Sequence, residues 1–291
     1  MQYSQIRIGF IGAGKAASAL AMALYRSGWQ VSAIYSRSWN RAVDLCKGVS
    51  ANLCLTTYDV LLRADVVFIC IPDRFIQQVA YQLARCPSSL EGKCIVHTSG
   101  TLDIEVLEPV RASGGLIGIF HPYQTLASRD SWKLLSKSFV GIDAPDPVFQ
   151  LLSDIARSIA LDFFDLRNVS RVPYHISAVM ASNYLIALLL ESRYLLEKAG
   201  IPQDQAYRAV ISLAVGALQN ASELGLENAV TGPLSRGDII TLHKHLQYLE
   251  NAELYKALTA YKSLGLLLLE HIKKGEGKHI PIDQLDSLLG L

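Results

Sequence analysis

Ile6-Arg7-Ile8-Gly9-Phe10-Ile11-Gly12-Ala13-Gly14-Lys15-Ala16-Ala17 decides how this chain is read. A short apolar run ends in Gly12-x-Gly14-x-x-Ala17 and passes directly into helical spacing, the strand, turn and helix start that a dinucleotide pyrophosphate requires. Gly12 permits the sharp turn, Gly14 lets the backbone approach phosphates with no side chain between, and Ala17 lets the helix lie close on the strand. The turn residue Ala13 and the first helical N–H groups, those of Lys15 and Ala16 included, then face the anion. Ala17, Leu20, Ala21 and Leu24 keep one apolar face, Gly28 suits a C-terminal cap and Val31 to Tyr35 reads as a second strand, completing a βαβ unit. A nucleoside-triphosphate loop, Gly9-x-x-x-x-Gly14-Lys15, fails because Ala16 stands where magnesium needs a hydroxyl and Gly9 falls inside the strand.

The 291 residues suffice for one large or two ordinary domains, and 51% hydrophobic with 18% charged residues describe a well-buried globular protein. A net charge of +1, without blocks of like charge, argues against nucleic-acid or membrane-surface partners. The five cysteines lack C-x-x-C spacing and sit in apolar segments, so they read as reduced core thiols of a cytoplasmic protein, with no metal site among them. No signal peptide is visible, and no apolar run reaches the roughly 18 residues a spanning helix needs.

The second strand ends at Ser36-Arg37-Ser38, about 22 residues past Gly14, where an NAD-binding protein usually places an acid on the ribose 2′-hydroxyl. Two hydroxyls and a guanidinium suit a 2′-phosphate instead, which favours NADP over NAD. Asp65 to Ile71 reads as a central parallel strand buried on both faces. It ends at Pro72-Asp73, with Asp73 expected to cap the following helix at the sheet edge where ligands bind. Further strands end at His97-Thr98-Ser99-Gly100 and His121-Pro122, which puts His97, Ser99 and His121 on the same rim. No G-x-S-x-G elbow surrounds Ser99, which counts against a serine hydrolase.

Strand signals stop after Leu161 to Phe164, so the composition predicts a boundary near residue 165: a dinucleotide-binding domain over 1–165 and a helical domain over 166–291. Ser170 to Ala199 reads as one long helix, followed by Asp204 to Leu224, one after Gly237, and Ala252 to Lys274. The first is apolar nearly all round, as in a bundle centre or a subunit interface, and predicts a homodimer. On an ideal helix its polar residue Ser182 lies about 20° and Asn183 roughly 80° round from His175, close enough to border a shared cleft. In the turn Thr231 to Asp238, Arg236 beside a helix start suits an anionic substrate group, and Asp238 is the expected cap. His243 and His245 point to different faces and are not a metal pair.

Gly12-Ala13-Gly14, Pro72-Asp73, His97-Thr98-Ser99-Gly100, Phe120-His121-Pro122, Tyr174-His175 to Ser182-Asn183-Tyr184, and Thr231-Gly232-Pro233 with Arg236-Gly237-Asp238 together resemble one group. It is the Rossmann-like proteins with a C-terminal DUF2520 domain, similar to the 6-phosphogluconate dehydrogenase, ketopantoate reductase and pyrroline-5-carboxylate reductase superfamily. The resemblance implies an α/β fold, a doubly wound parallel sheet followed by an all-α domain that dimerises, with NADP and substrate in a cleft. In the β-hydroxyacid dehydrogenase relatives a catalytic Lys precedes the helix Asn by four residues; Val179 stands there in this chain, which excludes a lysine acid.

The expected activity is hydride transfer between NADP and a small carbonyl, imine or hydroxy compound. His175 or His121 would exchange the proton, Asn183 orient the reacting group and Arg236 anchor an anion. Gly12, Ala13, Gly14, Lys15, Ala16, Ala17, Ser36, Arg37, Ser38, Pro72, Asp73 and Ser99 are the expected cofactor residues. The alternative is a non-catalytic NADP-binding redox sensor, which the missing lysine favours.

Overall fold

The structure is a computed structural model, and it describes residues 6–274 and 280–290. Apolar runs become strands and amphipathic runs become helices in strict alternation through the first half. β1 (Arg7–Ile11), α1 (Lys15–Arg26), β2 (Gln30–Tyr35), α2 (Trp39–Val49), β3 (Asn52–Leu53), α3 (Thr57–Arg63) and β4 (Val66–Ile69) form the first winding. α4 (Ile76–Ala84), β5 (Cys94–His97), α5 (Glu108–Ala112), β6 (Leu116–Tyr123), α6 (Trp132–Leu135), β7 (Phe139–Asp143), α7 (Val148–Ser158) and β8 (Asp162–Asp165) form the second. The eight strands lie in the order β3-β2-β1-β4-β5-β6-β7-β8. The order reverses between β1 and β4, which is the crevice where open α/β sheets take ligands.

Every pairing is parallel except β6 with β7, which run antiparallel. The sheet is therefore mostly, not wholly, parallel. Along each central strand alternate residues enter two apolar clusters: Ile8, Phe10, Val66 and Phe68 in one, Ile11, Val67, Ile69 and Ile95 in the other. This two-sided burial is why those strands read as unbroken apolar runs.

The chain divides into two compact units, residues 1–183 and 184–291, whereas composition placed the change near residue 165. The difference has a local cause. α8 (Arg171–Val179) packs onto the first unit: Tyr174 hydrogen-bonds His121 of β6, and Tyr123 of β6 bonds Ser177, both at 2.8 Å. The predicted single helix over 170–199 is interrupted by a π-helical turn at Met180–Tyr184 before α9 (Leu185–Lys198). Averaged over its most apolar window, the run Arg171–Lys198 is long and apolar enough to cross a membrane by length and composition, which corrects the expectation that no run reaches that length: scattered polar residues break the sequence run but not the average.

The second unit continues with α10 (Gln203–Leu224), α11 (Pro233–Arg236), α12 (Ile239–Asn251), α13 (Tyr255–Lys274) and α14 (Ile282–Leu289). Its core gathers Leu234, Leu242, Leu269, Leu285 and Leu289. Asp238 caps α12 as its position suggests, accepting from the Thr241 N–H at 3.0 Å.

Candidate functional site

The turn after β1 is shaped by close approach. Gly12 adopts φ +114°, its N–H donates to the Tyr35 carbonyl at 2.7 Å, and a Cβ there would stand 2.2 Å from the Cys70 carbonyl oxygen. Gly14 is the N-cap of α1, makes no side-chain cap bond, and has open space where a Cβ would point. The first turn of α1 carries no acid, so its unsatisfied N–H groups and the helix dipole favour an anion.

Those groups open into a groove of about 680 Å³, lined by Gly12, Ala13, Gly14, Ser36, Arg37, Ser38 and Pro72 among others. The groove has the volume of a small-molecule or cofactor site. Arg37 lies over the Phe75 ring at 4.5 Å, a cation–π contact that holds its guanidinium at the groove. Arg41, in the first turn of α2, lines the same groove. Among the described residues no carboxylate pairs with Arg37 or Arg41. The sequence reading did not single out Arg41; its place one helical turn after Ser38 was the available signal.

Lys15 is exposed and does not line the groove, Ala16 is half-buried, and Ala17 is fully buried against the sheet. Asp73 does not cap α4, whose N-cap is Phe75 with no side-chain bond. Its carboxylate instead accepts from Ser99 Oγ at 2.7 Å and Thr101 Oγ1 at 2.8 Å, tying the ends of β4 and β5 together. Ser99 Oγ in turn accepts from the Thr101 and Leu102 N–H groups.

His97 is turned inward, fully buried, with Nδ1 accepting from the Ser99 N–H at 3.2 Å. Burial pushes its pKa down to about 4. His121 is likewise pushed down to about 4, by burial first and then by His175. Desolvation therefore favours the neutral imidazole at both positions.

Both shifts lower the folded-state value, so the folded protein disfavours the protonated imidazoles. Stability should hold above about pH 6.5 and fall as pH drops from about 6.5 through about 4. Urea midpoints across that window should decline in the wild type and decline less in His97→Gln; equal slopes would refute the assignment to His97.

A second cavity, about 390 Å³, is lined by His121, Tyr123, Gln124, His175, Val179, Ser182 and Asn183 with several apolar neighbours. His121, His175 and Asn183 are thus brought together within the first unit. The His121 and His175 ring centres are 6.5 Å apart. The convergence requires Gly100, where a Cβ would stand 2.7 Å from His121 Nε2 and 3.0 Å from His175 Cδ2. Ser182 Oγ donates to Asn183 Oδ1 at 2.9 Å. Tyr174, quoted in the sequence motif but given no role, is the partner of His121. Arg236 is exposed at the end of the four-residue α11 and belongs to the second unit.

The sheet order and the glycine turn define a Rossmann-like protein, and the Rossmann-like domain family matches residues 1–122. Residues 138–262 match the domain of unknown function DUF2520, so the chain carries a Rossmann-like domain followed by a DUF2520 domain. No curated protein matches it.

Among solved structures it is similar to a Bacteroides fragilis protein provisionally described as an NADP oxidoreductase (24% identity, 92% of this chain and 99% of that one, TM-score 0.75). It is also similar to a reductive aminase from Aspergillus terreus in complex with NADPH and ethyl-5-oxohexanoate (18%, 98% and 99%, 0.64). A third is a 1-pyrroline-5-carboxylate reductase from Streptococcus pyogenes (17%, 98% and 99%, 0.62). At these identities the likeness is one of fold, consistent with the superfamily inferred from the motifs.

Proposed function

We propose that the chain is an NADP-dependent oxidoreductase acting on a small carbonyl, imine or hydroxy compound. The observation that carries this reading is the groove itself: an uncapped helix start over Gly14 at one place on its wall, and Ser36, Arg37, Ser38 and Arg41 at another. An anion cradle and a pair of guanidiniums unpaired by carboxylates fit a pyrophosphate and a 2′-phosphate. The NADP-bound and reductase descriptions among the structural relatives point the same way. When bound, NADP supplies or accepts the hydride.

The chain's own residues hold and orient. Gly12, Ala13 and Gly14 would cradle the pyrophosphate, with the N–H groups at the start of α1 behind them. Ser36, Arg37, Ser38 and Arg41 would hold the 2′-phosphate, with Pro72 along the groove. Asp73 and Ser99 act through their mutual bond, fixing the strand ends. In the second cavity Asn183 orients the reacting group, with His175 and His121 beside it. Val179 on the cavity wall leaves no lysine acid there.

Arg37→Ala should weaken NADPH binding by about 1–3 kcal/mol, the scale of a hydrogen bond to a charged group, and leave NADH binding nearly unchanged. Calorimetry giving equal NADPH and NADH affinities in the wild type would overturn the cofactor preference.

The protein is further proposed to be a homodimer through its helical unit. Ile186 and Leu190 of α9 and Leu213 of α10 are 54, 54 and 77% exposed, more apolar surface than a lone helical unit usually leaves in water. The same partner would account for the apolar run through α8 and α9. Light scattering should give twice the chain mass at micromolar concentration; a monomer would refute it.

A further inference from the structure

The π turn, the glycine at position 100 and the start of α8 converge on one small arrangement. His121 Nδ1 and the Tyr174 hydroxyl are 2.8 Å apart, and the two rings meet edge to face with centres 5.5 Å apart. The Tyr174 hydroxyl has no other hydrogen-bond partner among the described residues, and neither does His121 Nε2. The Tyr174 ring is itself held among Tyr123 and Phe164, at 5.3 and 6.3 Å between centres.

Two arrangements of the shared proton are conceivable. A phenol O–H is a strong donor and its oxygen a poor acceptor, because the lone pair is delocalised into the ring. An imidazole nitrogen bearing a lone pair is a strong acceptor. The bond is therefore O–H···Nδ1, which leaves the single imidazole proton on Nε2. Burial supports two neutral partners, pushing the phenol well above its ordinary value and the imidazole down to about 4.

Nε2 lies against Gly100, where only the lack of a side chain leaves room beside it, and the same imidazole lines the second cavity. None of the residues lining that cavity is Asp or Glu. A fixed N–H needs an acceptor opposite it. A carbonyl oxygen provides one; an iminium nitrogen has no lone pair to offer the N–H, and its charge would meet no carboxylate on this wall.

We propose that Tyr174 locks His121 as its neutral Nε2–H tautomer, and that this N–H receives the oxygen of an uncharged carbonyl compound, so that the cavity takes ketones or aldehydes in preference to iminium ions. Tyr174 is then a positioning residue, acting through His121. The ligand half of this inference rests on the reading of the cavity as the substrate site; the tautomer half stands on the geometry alone.

The test is long-range ¹⁵N–¹H spectroscopy of the full chain labelled at histidine, at pH 7.5, with His121→Asn used to assign the His121 signals. Wild type should show His121 Nε2 protonated and Nδ1 bare, and Tyr174→Phe should move both nitrogens toward tautomer-averaged shifts. A wild-type His121 protonated on Nδ1 overturns the lock, and that spectrum alone decides if Tyr174→Phe does not fold. Adding cyclohexanone should shift the Nε2–H resonance, while 1-methyl-1-pyrrolinium should not. An equal or larger shift by the cation, or a shift by neither probe, overturns the ligand class. Failure of NADPH binding would sink the oxidoreductase reading yet leave the tautomer legible, so the two failures are distinguishable.

Discussion

Gly12→Ala is expected to cost about 3–5 kcal/mol of stability, enough to unfold much of the first unit, because left-handed strain and overpacking add at one position. At φ +114° a side chain is strained whatever the space around it, and here the space is already taken. The added Cβ would lie 2.2 Å from the Cys70 carbonyl oxygen and 2.8 Å from its carbon. That backbone cannot yield cheaply: the Cys70 N–H donates to the Ile11 carbonyl at 2.8 Å, within the β1–β4 pairing at the centre of the sheet.

Gly14→Ala supplies the contrast. Gly14 has φ −76° and nothing within reach of a Cβ, so alanine should leave the urea midpoint almost unchanged. Its methyl would instead occupy the space where the backbone is proposed to meet phosphate, and NADPH affinity should fall about tenfold or more, roughly 1.4 kcal/mol. A Gly12→Ala protein as stable as wild type would mean that the turn relaxes; unchanged NADPH binding in Gly14→Ala would place the pyrophosphate elsewhere.

Arg171→Ala should be nearly as damaging, for an electrostatic reason. Arg171 is 7% exposed and its guanidinium makes a close ion pair with Asp143, with Asp103 at 3.7 Å from Nε. Burial already pushes the Asp143 carboxyl up against the opposing pull of Arg171. Removing the guanidinium leaves a buried carboxylate without its counter-charge, a loss of about 3–5 kcal/mol at pH 7.5.

With its partner gone, the folded-state value of Asp143 rises further above its unfolded one. Protonation then relieves the penalty, so the deficit relative to wild type should shrink as pH falls toward 5. Replacing both partners, Arg171→Met with Asp143→Leu, should recover most of the loss. Urea midpoints at the two pH values decide it: a single variant within about 1 kcal/mol of wild type, or a double variant no better than the single, would show that the pair is not what holds α8 against β7.

Elements whose burial is two-sided or whose chemistry is local are legible in the residues alone. β1, its glycine turn and α1 were legible because a positive φ and a close backbone approach demand glycine at set positions. β4, buried on both faces, announced itself as an apolar run, and Asp238 announced α12 because a cap bonds only a few residues away.

Other features follow from contacts between distant parts of the chain. β3 is two residues long, held by its pairing to β2 rather than by any pattern of its own. The antiparallel sense of β7 was hidden because an apolar strand carries no mark of direction. Asp73 had the spacing of a helix cap, but Ser99 and Thr101, brought in from the next strand, offered its carboxylate two hydroxyls. His97 sat at a strand end like His121, yet alternation turned it into the core. The angles reckoned for His175 and Asn183 assumed an unbroken α-helix, and the π turn at Met180–Tyr184 inserts an irregularity with no sequence mark. That His121 meets Tyr174, 53 residues away, follows from how α8 packs on β6, a long-range contact that neither periodicity nor local spacing encodes.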